Sequence, residues 1–213
     1  MKFKIDVKEE FPTIDCIKGD FDLFVNGFNG CAKVKYGKEL SGQTEILKTL
    51  CKLSEKSGKV IISGFDTDNY GIIKKSVGVF DGGKLLGISD MTTVFEDSGY
   101  MPGGGGKLYD TKIGKIGVAV GDDVYSFGLF KSLAVCGAEV IVALSDFKRK
   151  EINSILIRAY SFLLGVPTLL LFSGGSYCAN VKGDLDEISE DNVYDVFPYS
   201  EFILKTTKTR LNK

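Results

Sequence analysis

The stretch from residue 115 to residue 144 constrains this chain more than any other. Residues 115–120 (KIGVAV) form a short apolar, β-branched run, residues 124–136 read as a helix, and Gly137-Ala138-Glu139 leads into a second apolar run at 140–144. Strand, helix and strand joined so tightly predict a βαβ unit, and therefore a parallel pair with a right-handed crossover. Gly137 is placed to end the helix in a left-handed conformation. The pattern continues, because a helix predicted over 151–164 stops at Gly165-Val166-Pro167 and runs into the apolar segment 168–172. Such alternation predicts a layered α/β fold with helices covering sheets.

Upstream elements fit the same plan. Residues 21–25 (FDLFV) predict a buried strand, bounded by Gly19-Asp20 and Asn26-Gly27. Leu40, Ile46, Leu47, Leu50 and Leu53 make a helical stripe over 39–56 that stops at Ser57-Gly58. Residues 60–63 predict a strand ending at Gly64. Residues 76–80 and 85–88 predict a hairpin across Asp81-Gly82-Gly83. A second hairpin joins 108–111 to 116–120 through Gly114. The first nineteen residues suggest an extended segment or an edge strand. Asp184, Asp186, Glu187, Glu190, Asp191 and Asp195 form an acidic run before the basic tail of Lys205, Lys208, Arg210 and Lys213. Those runs read as a solvated surface and a frayed terminus.

Composition narrows the chemistry. The 213 residues suit one domain, 1–213, and contain no histidine and no tryptophan. Without histidine, Ser-His-Asp triads, Cys-His pairs, HExxH zinc sites and imidazole acid/base catalysis are excluded. A formal net charge of −1 argues against a nucleic-acid or membrane-surface partner, since both need a concentrated basic face. The five cysteines, at 16, 31, 51, 136 and 178, lack any CxxC spacing and read as reduced thiols of a cytoplasmic protein. Neither a signal peptide nor a membrane-spanning run is visible, and no feature points to a cofactor.

Several motifs imitate known sites and fall short of them. The glycine run Met101-Pro102-Gly103-Gly104-Gly105-Gly106-Lys107-Leu108 lacks the first glycine and the Ser/Thr of a phosphate loop, so it predicts a surface loop. Asp66-Thr67-Asp68-Asn69-Tyr70-Gly71 starts like a calcium loop but puts Val77 where a bidentate Glu belongs, and reads as a turn at a strand end. Ser173-Gly174-Gly175-Ser176 is another such turn. Gly121-Asp122-Asp123 lies at the carboxyl end of a predicted central strand, where active-site groups concentrate. Its aspartates read as first-turn acids and a helix cap, with a divalent cation as the alternative.

From Gly58 to Gly174 the sequence resembles the nitrilase superfamily of carbon–nitrogen hydrolases. Residues 111–120 (TKIGKIGVAV) are similar to that family's strand before the nucleophile, and Gly137-Ala138-Glu139-Val140-Ile141-Val142 to its following strand entry. Gly83-Lys84-Leu85-Leu86, Pro102-Gly103 and Arg158-Ala159-Tyr160-Ser161 resemble further family motifs, in the family's order. The resemblance implies a four-layer αββα sandwich, somewhat truncated at the amino terminus. Its sheets would be mixed, with helices 39–56, 124–136 and 151–164 outermost and 182–213 as a variable carboxyl-terminal extension. It also implies a homodimer.

That family's Glu-Lys-Cys triad would attack an amide or nitrile carbon through the thiol, with Glu as general base and Lys stabilising the oxyanion. On this alignment the nucleophile position falls on Gly121, the lysine on Met91 and the base on Phe28. Glu96 and Asp123 match further acidic positions of the family and are the retained pocket candidates. Cys136 stands at the far end of a helix spanning about 18 Å and does not reach the site. Cys31 and Cys178 remain as displaced nucleophiles. The sequence therefore predicts a catalytically degenerate protein acting through a small-molecule ligand or through assembly. The rival expectations are an active amidohydrolase built on Glu96 with Cys31 or Cys178, and an unrelated α/β protein binding a cation at 121–123.

Overall fold

Two mixed sheets pack face to face, and their registers follow from apolar alternation along the strands. The computed structural model describes residues 1–6, 11–28, 33–94, 98–104, 106–146, 148–188 and 193–196. The first sheet is built from β1 (Lys2–Asp6), β2 (Leu23–Asn26), β3 (Val34–Lys35), β4 (Val60–Asn69), β5 (Ile72–Asp81) and β6 (Lys84–Asp90). The second takes β7 (Lys107–Thr111), β8 (Gly114–Val120), β9 (Val140–Leu144), β10 (Thr168–Phe172), β11 (Gly175–Ala179) and β12 (Leu185–Glu187), and β13 (Tyr194–Asp195) returns to the first. The orders are β13-β1-β2-β4-β5-β6, with β3 paired beside β4, and β12-β11-β10-β9-β8-β7. In each sheet the central strands are parallel (β1, β2 and β4; β8, β9 and β10) and antiparallel strands flank them.

Three apolar layers hold the sandwich together. Leu23, Val25, Val60, Ile62, Val77 and Val79 of the first sheet meet Ile116, Val118, Val142, Leu144, Leu169 and Leu171 of the second. On the outer face of the first sheet, Phe24, Ile61, Phe65 and Phe80 are covered by Leu50 and Leu53 of α2 (Ile46–Ser57) and by Ile17 and Phe21. On the outer face of the second, Ile141, Ala143 and Leu170 lie under Phe130 and Leu133 of α3 (Phe127–Val135) and Ile157 and Tyr160 of α4 (Lys150–Leu164). Each such side chain, fully buried, stabilises the fold by roughly 1.5–3 kcal/mol. This is the αββα sandwich expected from the sequence.

The departures have local causes. The helix expected over 39–56 is two helices, because the chain turns at Ser41 to Gln43 after the short α1 (Tyr36–Leu40). Glu39 of α1 then caps α2, its carboxylate accepting from the backbone N–H of Ile46 (3.0 Å) and Leu47 (3.2 Å). The helix expected from 124 begins instead as a 3-10 turn, Gly121–Tyr125, and restarts at α3 with Ser126 as N-cap. Residues 66–69 continue β4, and the turn sits at Tyr70 and Gly71, both at positive φ. The amino-terminal strand β1 is interior, since β13 pairs with its outer edge and Val196 N–H donates to Met1 O. Of the acidic run, Asp184, Asp186 and Glu187 are exposed as expected, but Ile188 and Val196 are buried and β12 and β13 join the sheets. Glu190, Asp191 and the basic tail lie outside the described residues.

Candidate functional site

The carboxyl ends of β2, β8, β9 and β10 open at one end of the sandwich, where ligand sites of parallel sheets form. Three segments leave these ends toward one another. β2 continues to Gly27 and Phe28, β8 into Gly121, and β9 into Ser145 and Asp146. Met91, just after β6, is held alongside β5 by its backbone N–H donating to Lys75 O at 2.9 Å.

At their centre stands Lys75. Its position on β5 is in register with Val77 and Val79, so it points between the sheets. The side chain is 7% exposed, and Nζ reaches Asp146 Oδ2 at 2.7 Å. It lies 4.3 Å from the Phe28 ring centroid and 4.9 Å from that of Tyr100. Burial pulls the ammonium's pKa down, but the Asp146 hydrogen bond and charge, with Tyr100 and Asp66, outweigh it and leave the pKa raised. Lys75 is a charged donor, not an amine nucleophile. The Tyr100 hydroxyl donates to Asp66 at 3.2 Å, and burial first of all raises its own pKa.

Phe28, Met91 and Gly121 are all brought to this cluster. A Cβ on Gly64 would lie 2.8 Å from the Phe28 ring, so the ring seats on glycine in β4. Gly121 has φ +57°, and a Cβ there would run into Met91 Sδ and lie 3.1 Å from Lys75 Cδ. Met91 is buried, and its Sδ accepts from the Asp122 N–H at 3.3 Å. The cavity left among Gly27, Phe28, Ser145, Asp146, Leu171 and Phe172 is about 20 Å³, room for one water. A far larger open groove, about 470 Å³, lies elsewhere, between α1 and the β4–β5 turn.

Asp123 is buried, and its side chain caps no helix. Its carboxylate accepts from Thr92 N–H (2.9 Å), Thr92 Oγ1 (2.6 Å) and Thr93 N–H (2.7 Å), pinning the segment after Met91. Asp123→Ala is expected to lower stability by about 3 kcal/mol in urea unfolding, because those buried donors lose a charged acceptor. Among the described residues no group of three or more acidic or cysteine side chains is placed to hold a metal ion. Asp122 is half-buried. Burial, then the Asp146 and Asp123 charges, raise its pKa against the opposing Lys75. A carboxyl raised in the fold stabilises below its unfolded pKa and loses that contribution as pH rises through its folded one. Asp122→Asn is therefore expected to raise the melting temperature at pH 7 and to change little near pH 3.

Cys178 lies on β11 opposite Leu169, three residues down the strand from the end at Gly175 and Phe172, or about 10 Å. It is buried in the inter-sheet core, and that burial pushes its thiol up to about 12. Cys16 and Cys51 belong to the outer face of the first sheet, and Cys136 ends α3. Cys31 and Glu96 lie outside the described residues. Sequence reasoning missed Lys75, Asp146 and Tyr100. The one available signal was a lysine two residues before Val77 in the inward register of a strand.

No family model and no curated protein matches the sequence. Solved structures do. A carbon–nitrogen hydrolase from Helicobacter pylori G27 superposes with a TM-score of 0.75 at 14% identity, over 98% of this chain and 92% of the other. A nitrilase-superfamily amidase from Nesterenkonia AN1 gives 0.77 at 14% identity, over 100% and 95%. Saccharomyces cerevisiae Nit3, from branch 10 of the superfamily, gives 0.74 at 19% identity, over 98% and 94%. The chain has the fold of the nitrilase-superfamily carbon–nitrogen hydrolases. In another structure of the Nesterenkonia amidase, the acetamide moiety of fluoroacetamide is added at an active-site cysteine.

Proposed function

We propose that this protein is a catalytically degenerate carbon–nitrogen hydrolase-like protein, acting through binding and assembly rather than turnover. The observation that carries the reading is the plugged cluster. Where the alignment puts nucleophile, cation and base stand Gly121, Met91 and Phe28, and Lys75 threads between them to an ion pair with Asp146. An amide needs a nucleophile within about 3–3.5 Å of its carbon. Among the described residues, the cavity that borders Phe28 and Asp146 measures about 20 Å³, too little for an amide. Among the described residues the cluster holds no thiol.

The rival active enzyme would need Cys31, with Glu96 as its base. Native-state iodoacetamide labelling at pH 7 separates the two. We expect Cys178 to stay unlabelled and Cys31 to react no faster than a free thiol. Labelling of Cys31 far above that rate, abolished in Glu96→Gln, would support the amidohydrolase instead.

Assembly has its own support. Phe127 and Val135 of α3 and Ile152, Ile155, Phe162 and Leu163 of α4 are exposed apolar side chains on the outer face of the second sheet. Apolar patches of this kind mark association surfaces, and a homodimer through paired α3–α4 faces would cover them. Ile155→Glu together with Leu163→Glu is expected to halve the mass seen by light scattering. An unchanged mass contradicts this assignment of the surface.

A further inference from the structure

Lys75 and Asp146 are unequal partners. The Lys75 side chain is 7% exposed and fixed midway along a buried strand, whereas that of Asp146 is 51% exposed in the segment after β9. A buried ammonium keeps its charge only against an anion. The carboxylate, by contrast, reaches water by a side-chain rotation. Asp66 and Asp122 also act on Lys75 through charge, but Asp146 is the carboxylate hydrogen-bonded to Nζ, and the place it fills is an anion seat with a replaceable occupant.

The seat also has a size. Beyond its Cα, the side chain of Asp146 is a CH2–COO⁻ group, chemically an acetate. It borders the 20 Å³ cavity, whose other walls include the apolar Phe28, Leu171 and Phe172. Lys75 does not itself line that cavity, but Nζ touches two of its walls, Asp146 and Phe28, so rotation of Asp146 outward would join the space beside the ammonium to it, with an apolar wall for a short tail. The Phe28 and Tyr100 rings flank the ammonium at 4.3 and 4.9 Å and limit the width.

We propose that the Lys75 seat binds a short aliphatic monocarboxylate such as acetate or propionate, with Asp146 as the built-in competitor that the ligand displaces. This rests on reading the site as a binding site rather than a hydrolytic one. Binding is weak in the wild type, because the tethered carboxylate is always present, and tighter once it is neutralised.

The test is thermal unfolding of the full chain at pH 7 with millimolar sodium propionate against sodium chloride of equal ionic strength. Asp146→Asn is expected to melt below wild type and to be rescued by propionate, with about tenfold higher affinity than wild type. Lys75→Met is expected to show no response. Equal rescue by chloride, or none by propionate, overturns the proposal. Should Asp146→Asn not fold, broadening of the propionate resonances by wild-type protein, lost in Lys75→Met, carries the same decision, and absence of broadening overturns it. Ammonia release from propionamide is followed on the same samples. Turnover would overturn the non-hydrolytic reading, whereas failure of propionate to bind would remove only the seat.

Discussion

Gly121→Ala is expected to destabilise the protein by about 2–4 kcal/mol, read from urea unfolding. Two separate costs add. A residue with a Cβ pays about 1–2 kcal/mol to hold φ near +57°, since its Cβ crowds the following carbonyl. The new methyl also has no room, meeting Met91 Sδ and Lys75 Cδ, both fixed by a buried setting. Overpacking of this kind costs about 1–3 kcal/mol. The two are separable, because Met91→Ala opens the space without changing the backbone. In that background the penalty for Gly121→Ala should fall to the conformational part alone, a coupling that a double-mutant cycle measures. The same steric argument predicts that Gly121→Cys installs a thiol without activity. Equal stability of Gly121→Ala and wild type would mean that the packing at this strand end is misassigned.

Asp146→Ala is expected to cost about 2–3 kcal/mol, while Lys75→Met changes stability by less than about 1 kcal/mol. The asymmetry follows from burial. Removing the carboxylate strands an ammonium that is 7% exposed, whereas removing the ammonium leaves a carboxylate half in water. Methionine has the length to fill the channel past Gly121 and adds apolar contact with Phe28 and Met91. Lys75→Met/Asp146→Ala should therefore match Lys75→Met alone. If Lys75→Met proves the more damaging of the two single changes, the ion pair is not organised as described.

Much of the architecture was legible in the sequence for physical reasons. Strands β8, β9 and β10 are buried on both faces and so appear as continuous apolar runs, Gly137 and Gly165 punctuate the helices, and the strand–helix–strand order leaves few topologies. Phe28, Met91 and Gly121 are singled out in the sequence through a resemblance, not from spacing. Lys75 escapes because the sequence predicts its strand only from residue 76, just past it, whereas β5 starts at Ile72. Periodicity lost its force there: Ile72 is exposed, while Lys75 faces inward. In the sequence Asp123 reads as a local cap or a pocket acid, because sequence shows neighbours along the chain, whereas its hydrogen-bond donors, Thr92 and Thr93, are brought by another strand end. The break between α1 and α2 hides for a similar reason. Its cap, Glu39, sits in the preceding helix.

Among the described residues, this nitrilase-fold strand end is closely packed. A raised, ion-paired ammonium occupies the centre, aromatic rings flank it, and a buried thioether sits over Gly121. Ammonia release from a panel of short aliphatic amides and nitriles, measured with wild-type protein and with Cys31→Ser, tests this account most directly. No release above the protein-free blank is the result it predicts for both. Release by wild type that disappears in Cys31→Ser would contradict it and establish an active hydrolase with a displaced nucleophile.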